Sequence, residues 1–178
     1  EKAFFSPRLS TERERIAGLV KDGEVVINMF GGVGMFSILV AKYTACTIYN
    51  IDINPVASQL CKENALINKL KGEVISLNGD ATKVIEEQLS GKADRVLMLL
   101  PERSDEFLDS ALNSLKNDGM IHYYSHMHAD RKQDAPRLSE EHFMSVNKTN
   151  AEIITSRNVR PVGPRFYQTV VDVKISKS

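Results

Sequence analysis

No stretch of the 178-residue sequence approaches the roughly 18 consecutive apolar residues that a membrane span needs. The opening run Glu1-Lys2-Ala3-Phe4-Phe5 also lacks the charged-then-apolar pattern of a signal peptide. A soluble chain is expected. Cysteine is scarce: Cys46 and Cys61 are the only two, both sit in apolar segments, and no CxxC spacing joins them. That argues against a disulfide framework or a zinc site and suits a reducing cytoplasm. Net charge is missing too, with 23 basic and 23 acidic residues, so the chain is no histone-like polycation. The even total hides a gradient. Residues 21–120 hold 10 Lys/Arg and 14 Asp/Glu, residues 1–20 hold 4 and 3, and residues 121–178 hold 9 and 6. If both ends fold to one side, that side can face phosphate; the alternative is ordinary solvated surface. An initiating methionine is absent as well, which leads to the expectation of a domain cut from a longer protein with upstream modules.

What is present is the composition of one packed globular domain, 42% hydrophobic and 26% charged, in a length typical of a single core. Strand, turn and helix alternate. A β-branched run from Glu24 to Phe30 ends in Gly31-Gly32-Val33-Gly34 and is followed by helical spacing from Met35 to Tyr43. A second run, Ala45 to Ile51, ends at Asp52, and Pro55 opens a helix reaching about Asn68. Further strands are predicted at Glu73–Leu77, Asp94–Leu99 and Met120–Ser125, with helices near Thr82–Gln88, Ser104–Asn117 and Ser139–Lys148 and Gly119 as a helix C-cap. The last stretch differs, with strands Ala151–Ser156 and Phe166–Ile175 separated only by Arg157–Arg165. The expected architecture is α/β, a mainly parallel seven-stranded sheet with an antiparallel hairpin at its C-terminal edge and ligands at the carboxyl ends of the strands. Ahead of the first strand, Thr11 and Glu14 have capping-box spacing, so a helix is predicted there, its polar first turn pointing toward whatever covers the glycine loop.

Three consecutive strand ends carry chemistry. The turn Gly31-Gly32-Val33-Gly34 has few side chains, so backbone amides at a helix N-terminus can approach a nucleotide-like ligand. A dinucleotide fingerprint wants a third glycine at position 37, where Ser37 stands. Asp52 is placed to accept from both hydroxyls of a ribose, and Asp80 to accept from an adenine amino group. Together these form the layout of a class I, Rossmann-like S-adenosylmethionine site, although a glycine turn by itself is usually structural.

Four segments resemble the tRNA (guanine-N1)-methyltransferases of the archaeal and eukaryotic type, which modify guanosine 37 beside the anticodon. They are Phe5-Ser6-Pro7-Arg8-Leu9-Ser10-Thr11-Glu12-Arg13, Asn28-Met29-Phe30-Gly31-Gly32-Val33-Gly34, Asp52-Ile53-Asn54-Pro55 and Ile121-His122-Tyr123-Tyr124. The first is the most specific, because class I methyltransferases in general lack it. The resemblance implies a general base at Glu12 acting on guanine N1 and a cation at Arg8 beside guanine O6. Guanine N1 keeps its proton at neutral pH, so methyl transfer from a sulfonium calls for both. It also implies S-adenosylmethionine held by Asn28, Phe30, Gly32, Val33, Gly34, Asp52, Ile53, Asn54, Asp80 and Ala81. Contact with tRNA falls to Arg13, Leu99, Pro101 and Arg165, in a cytoplasmic, monomeric enzyme without metal. Read without the family, Glu12 is a first-turn acid favoured by the helix dipole and Arg8 a surface cation.

Two positions depart from that family. Asn28 stands where an aspartate usually faces the methionine ammonium, and Leu99 where Asn-Leu-Pro supplies an amide to the floor of the base pocket. His122, His126 and His128 lie close in sequence, but no carboxylate has ligand spacing beside them. Arg157, Arg160 and Arg165 flank a loop stiffened by Pro161 and Pro164, to meet tRNA phosphate or to form a salt-bridged turn. Residues 1–22 are expected to be an active-site segment and 23–178 the methyltransferase domain. The competing functions are the aminocarboxypropyl transferase of wybutosine synthesis, which uses the same cofactor but lacks the Thr-Glu pair, and a tRNA-binding module weakened at Asn28 and Leu99.

Overall fold

The computed structural model describes residues 9–177. Helix α1 (Ser10–Leu19) precedes a sheet built from β1 (Val25–Asn28), β2 (Thr47–Asp52), β3 (Glu73–Asn78), β4 (Ala93–Met98), β5 (Leu115–His128), β6 (Asn150–Gly163) and β7 (Phe166–Ser176). Between the strands run α2 (Met35–Tyr43), α3 (Pro55–Ile67), α4 (Ala81–Val84), α5 (Ser104–Ser114) and α6 (Ala135–Val146). The strand order is β3-β2-β1-β4-β5-β7-β6. The first five strands are parallel, and β7 is antiparallel to both of its neighbours.

Period-two alternation sends neighbouring residues of one strand to opposite faces. Val26, Ile48 and Leu97 pack with Phe36 and Val40 of α2 and with Ile16, Ala17 and Val20 of α1. Ile27, Ile51, Val96 and Met98 pack on the other face with Ile85, Phe107, Leu112 and Phe143. Both faces are covered, which is why the central strands read as continuous apolar runs.

Local readings are corrected in four places. The capping box does not form: α1 starts at Ser10, its N-cap is Leu9 without a side-chain bond, and Thr11 lies inside the helix. Gly119 caps no helix. Helix α5 stops at Ser114 and the chain enters β5 at once, where Gly119 is needed because a Cβ there would sit 3.0 Å from the Asp94 carbonyl and 2.6 Å from the Leu115 side chain. Arg157–Gly163 is strand, not loop, so only Pro164 and Arg165 turn the hairpin, with Arg165 at φ 52°. Pro161 is tolerated because β6 is the edge strand and its register slips at three irregularities. The last helix starts at Ala135 rather than Ser139, with Pro136 in its first turn.

Candidate functional site

The carboxyl ends of β1, β2 and β4 open into a cavity of about 610 Å³. The glycine loop forms one wall. Gly31 N–H donates to the Ile51 carbonyl (2.8 Å) and Gly34 N–H to that of Gly31 (3.0 Å), with Gly32 and Gly34 both at positive φ. Gly31 is packed so closely that a Cβ would fall 2.0 Å from Asn50 Oδ1. Asn50 is fully buried and pinned, accepting from Ser37 Oγ (2.7 Å) and donating to the Gly32 carbonyl (3.2 Å). Ser37 thus replaces the third glycine of a dinucleotide loop with a polar strut. Gly31→Ala is expected to cost about 1–3 kcal/mol of stability through overpacking. Gly18→Ala in α1, where nothing among the described residues lies within 4 Å, should instead gain a few tenths to about 1 kcal/mol. Urea midpoints of the two variants check this, and equal midpoints would remove the packing role of Gly31.

Asp52 ties the loop to the next turn. Its Oδ2 accepts from Gly32 N–H (2.9 Å) and its Oδ1 from Asn54 N–H (2.8 Å), which leaves lone pairs on both oxygens for a ligand. Asp80 caps α4 through Lys83 N–H (3.1 Å) and faces the same space, as do Phe30, Val33, Ile53, Asn54 and Ala81. Asn28 lies beneath the loop, fully buried and outside the cavity wall. Its Nδ2 donates to Ser37 Oγ (3.3 Å), and its Oδ1 has no partner among the described residues. Gly34 also lies behind the wall, where a Cβ would meet Cys61 Sγ at 2.6 Å.

The same cavity continues past Leu99 and Pro101 to His126, Arg160 and Gln168, and Leu9 and Arg13 of α1 line it too. Leu99 therefore presents a side chain without hydrogen-bonding groups, while Arg160 Nε donates to Gln168 Oε1 (2.8 Å) nearby. Arg13 is buried, its guanidinium 6.0 Å from the Phe36 ring centre, and burial lowers its pKa. Arg165 stands apart, exposed at the hairpin turn 3.6 Å from Asp130, lining a second recess with His128. Arg8 lies outside the described residues.

Glu12 is 4% exposed and does not line the cavity, although its neighbour Arg13 does. It pairs with Arg15 at 2.6 Å and accepts from the Tyr124 hydroxyl (3.2 Å). Burial, followed by the Glu12 charge, pushes the Tyr124 phenol well up, so it remains a donor. Arg15 also reaches Asp172 (2.6 Å), which accepts from His122 Nδ1 (2.6 Å), while His122 Nε2 accepts from Arg95 (2.7 Å). Those two bonds require neutral imidazole with its proton on Nδ1. Burial lowers the His122 pKa in the same sense. Against the opposing effect of burial, the hydrogen bonds from His122 and Arg15 hold the Asp172 carboxyl down at about 2.

Unfolding lets His122 take up a proton that the folded chain refuses. Stability is therefore complete above its ordinary value of 6.5 and falls as pH drops below it. Asp172 adds a second loss below its ordinary value of 3.8, toward about 2. The expected urea midpoint is level near neutrality and declines below about pH 6.5. A level profile down to pH 5 would contradict a neutral, buried His122.

Several wall residues escape a reading by motif. Phe107, which meets Phe30 edge-on at 4.9 Å, comes from the first turn of α5 and leaves no local signal. Gln168 has a faint one, a polar residue between Tyr167 and the β-branched run Thr169-Val170-Val171. His126 and His128 pack on Phe166 (5.2 and 4.1 Å between ring centres) while His122 is buried away from them. Among the described residues, no three His, Cys, Asp or Glu side chains gather as a metal group, and no helix is long and apolar enough to cross a membrane.

A sheet of this order, with a glycine loop after β1 and carboxylates after β2 and β3, defines the class I methyltransferase fold. Within that class, the chain belongs to the family described as the TRM5/TYW2 methyltransferase domain, whose model matches residues 1–153. It is 40% identical over 176 residues to the tRNA (guanine(37)-N(1))-methyltransferase Trm5b of Methanocaldococcus jannaschii, covering 99% of this chain and 48% of that one. It is also 40% identical over 174 residues to the tRNA 4-demethylwyosine(37)-methyltransferase Taw21 of Saccharolobus solfataricus, covering 97% and 63%. The crystal structure of Methanocaldococcus jannaschii Trm5 in complex with adenosine superposes with a TM-score of 0.84 at 37% identity, over 99% of this chain and 52% of that one. The chain thus spans about half the length of Trm5b.

Proposed function

We propose that the chain transfers a methyl group from S-adenosylmethionine to N1 of guanosine 37 in tRNA. The observation that carries this reading is the continuity of the cavity. One space joins Asp52 and Asp80 at its cofactor end to Leu9, Arg13, Leu99 and Pro101 at the other, so a methyl donor and a flipped base fit face to face. The residues suit the cofactor: the loop is drawn in so tightly that it admits no Cβ at Gly31, and Asp52, on the cavity wall, keeps lone pairs for ribose hydroxyls. Similarity to Trm5b supports the choice of guanine N1.

When bound, S-adenosylmethionine supplies an electrophilic methyl group on a sulfonium. In this reading Asp52 fixes the ribose, and Asp80 with Ala81 and Ile53 bounds the adenine. Leu9 and Arg13 cover the base, and Glu12, which rests behind the wall beside Arg13, turns into the base end when tRNA binds and removes the N1 proton as the methyl group arrives. Arg8 balances charge on O6. Residues 1–22 act as the substrate-side segment and 23–178 as the methyltransferase body. In this reading Arg13 and Arg160 border the base end and the exposed Arg165 meets RNA phosphate. The enzyme works as a cytoplasmic monomer without a metal.

A second reading has one observation in its favour. Leu99 gives the base end an apolar floor, which accommodates a tricyclic wyosine base better than a guanine needing an amide partner, and Taw21 is as similar to this chain as Trm5b is. An aminocarboxypropyl transfer would use the same cofactor end. Incubating the full-length protein with S-adenosylmethionine and, in parallel, unmodified tRNA and tRNA carrying 4-demethylwyosine, then weighing the nucleosides, separates these readings. Methylated guanosine is expected; an aminocarboxypropyl adduct, or methylation only of tRNA already carrying 4-demethylwyosine, would replace it.

A further inference from the structure

We propose that Arg15 is a cation shared between two carboxylates, Glu12 and Asp172, and that the surplus negative charge of this triad lets Glu12 take the proton from guanine N1. This rests on the reading of Glu12 as the base. Arg15 lies 2.6 Å from Glu12 on α1 and 2.6 Å from Asp172 on β7. All three are largely withdrawn from solvent, with the side chains of Arg15, Glu12 and Asp172 14%, 3% and 4% exposed, so their mutual attraction is weakly screened. A base paired with one dedicated arginine forms a neutral couple, and accepting a proton leaves that arginine uncompensated. With Asp172 on its far side, Arg15 stays balanced after Glu12 is protonated, and the triad passes from one net negative charge to none.

The surroundings keep the arrangement in place without cancelling it. His122 on β5 is neutral and donates to Asp172, so it fixes the carboxylate and adds no charge. Arg95 on β4, which hydrogen-bonds the other His122 nitrogen, is itself neutralised by Glu24, whose carboxylate accepts from it at 2.9 and 3.1 Å. Among the described residues, Tyr124 on β5 is the other polar contact of Glu12 and is uncharged. Asp172 and Tyr124 are accordingly positioning residues: the first keeps the triad anionic and the second orients the base.

The test is the pH profile of single-turnover methyl transfer by the full-length protein with saturating tRNA, for Asp172→Asn and Tyr124→Phe. Asp172→Asn removes the surplus charge, so its acid limb should move to lower pH and its plateau should fall roughly three- to tenfold. Tyr124→Phe removes a donor to the carboxylate, so its acid limb should move to higher pH. In a Glu12→Gln background neither change should alter the residual rate. Limbs left in place, or equal losses with and without Glu12, would overturn the proposal while leaving Glu12 as base. Should Asp172→Asn fail to fold, Tyr124→Phe alone decides by the same criterion. A Glu12→Gln enzyme with the wild-type rate would remove the base itself and this inference with it.

Discussion

Glu12→Gln should lower single-turnover methyl transfer by about 10²–10⁴-fold at neutral pH, the usual contribution of a positioned base, with cofactor affinity unchanged. The two effects separate because Glu12 sits on α1 beside Arg13, which borders the base end, and away from Asp52 and Asp80 at the cofactor end. Glutamine keeps the length of the side chain and accepts from Tyr124 but cannot take a proton. The deficit should shrink as pH rises, because guanine N1 then loses its proton to water unaided. Parallel loss of cofactor affinity would mean that the substitution has disturbed α1 rather than removed a base.

Asp52→Ala should raise the cofactor dissociation constant by about two orders of magnitude. Hydrogen bonds from ribose hydroxyls to a carboxylate are worth about 1.5–3 kcal/mol each, and the substitution also frees the Gly32 and Asn54 amides that Asp52 holds. Asp52 is only half-buried, so the stability lost without cofactor should stay near 1 kcal/mol. Calorimetry gives the affinity and urea unfolding the stability. Unchanged affinity would take Asp52 out of the site.

The cofactor end of the site is legible because its chemistry is local. Gly31-Gly32-Val33-Gly34, Asp52 and Asp80 each end a strand, and in a parallel sheet those ends meet on one edge whatever the rest of the chain does. The base end is legible only in part. His126, Arg160 and Gln168 reach it from β5, β6 and β7, and their convergence depends on a hairpin register that no short motif encodes. Reading Arg157–Arg165 as a loop follows from its two prolines, but the edge strand with its register irregularities accommodates Pro161, and only Pro164 falls in the turn. The chain from Glu12 through Arg15 and Asp172 to His122 spans 160 residues of sequence, and the spacing within α1 cannot reveal that its polar face rests on β7. Gly119 has a similar lesson: a glycine after a helix suggests a cap, but here the neighbouring strand's backbone dictates it.

The most direct measurement is nucleoside mass spectrometry of two otherwise identical tRNA transcripts, one with guanosine and one with adenosine at position 37, after incubation with the full-length protein and S-adenosylmethionine. The account predicts 1-methylguanosine in the first and no methylated nucleoside in the second. Absence of 1-methylguanosine from the first, or an equal methyl yield from both, would contradict it.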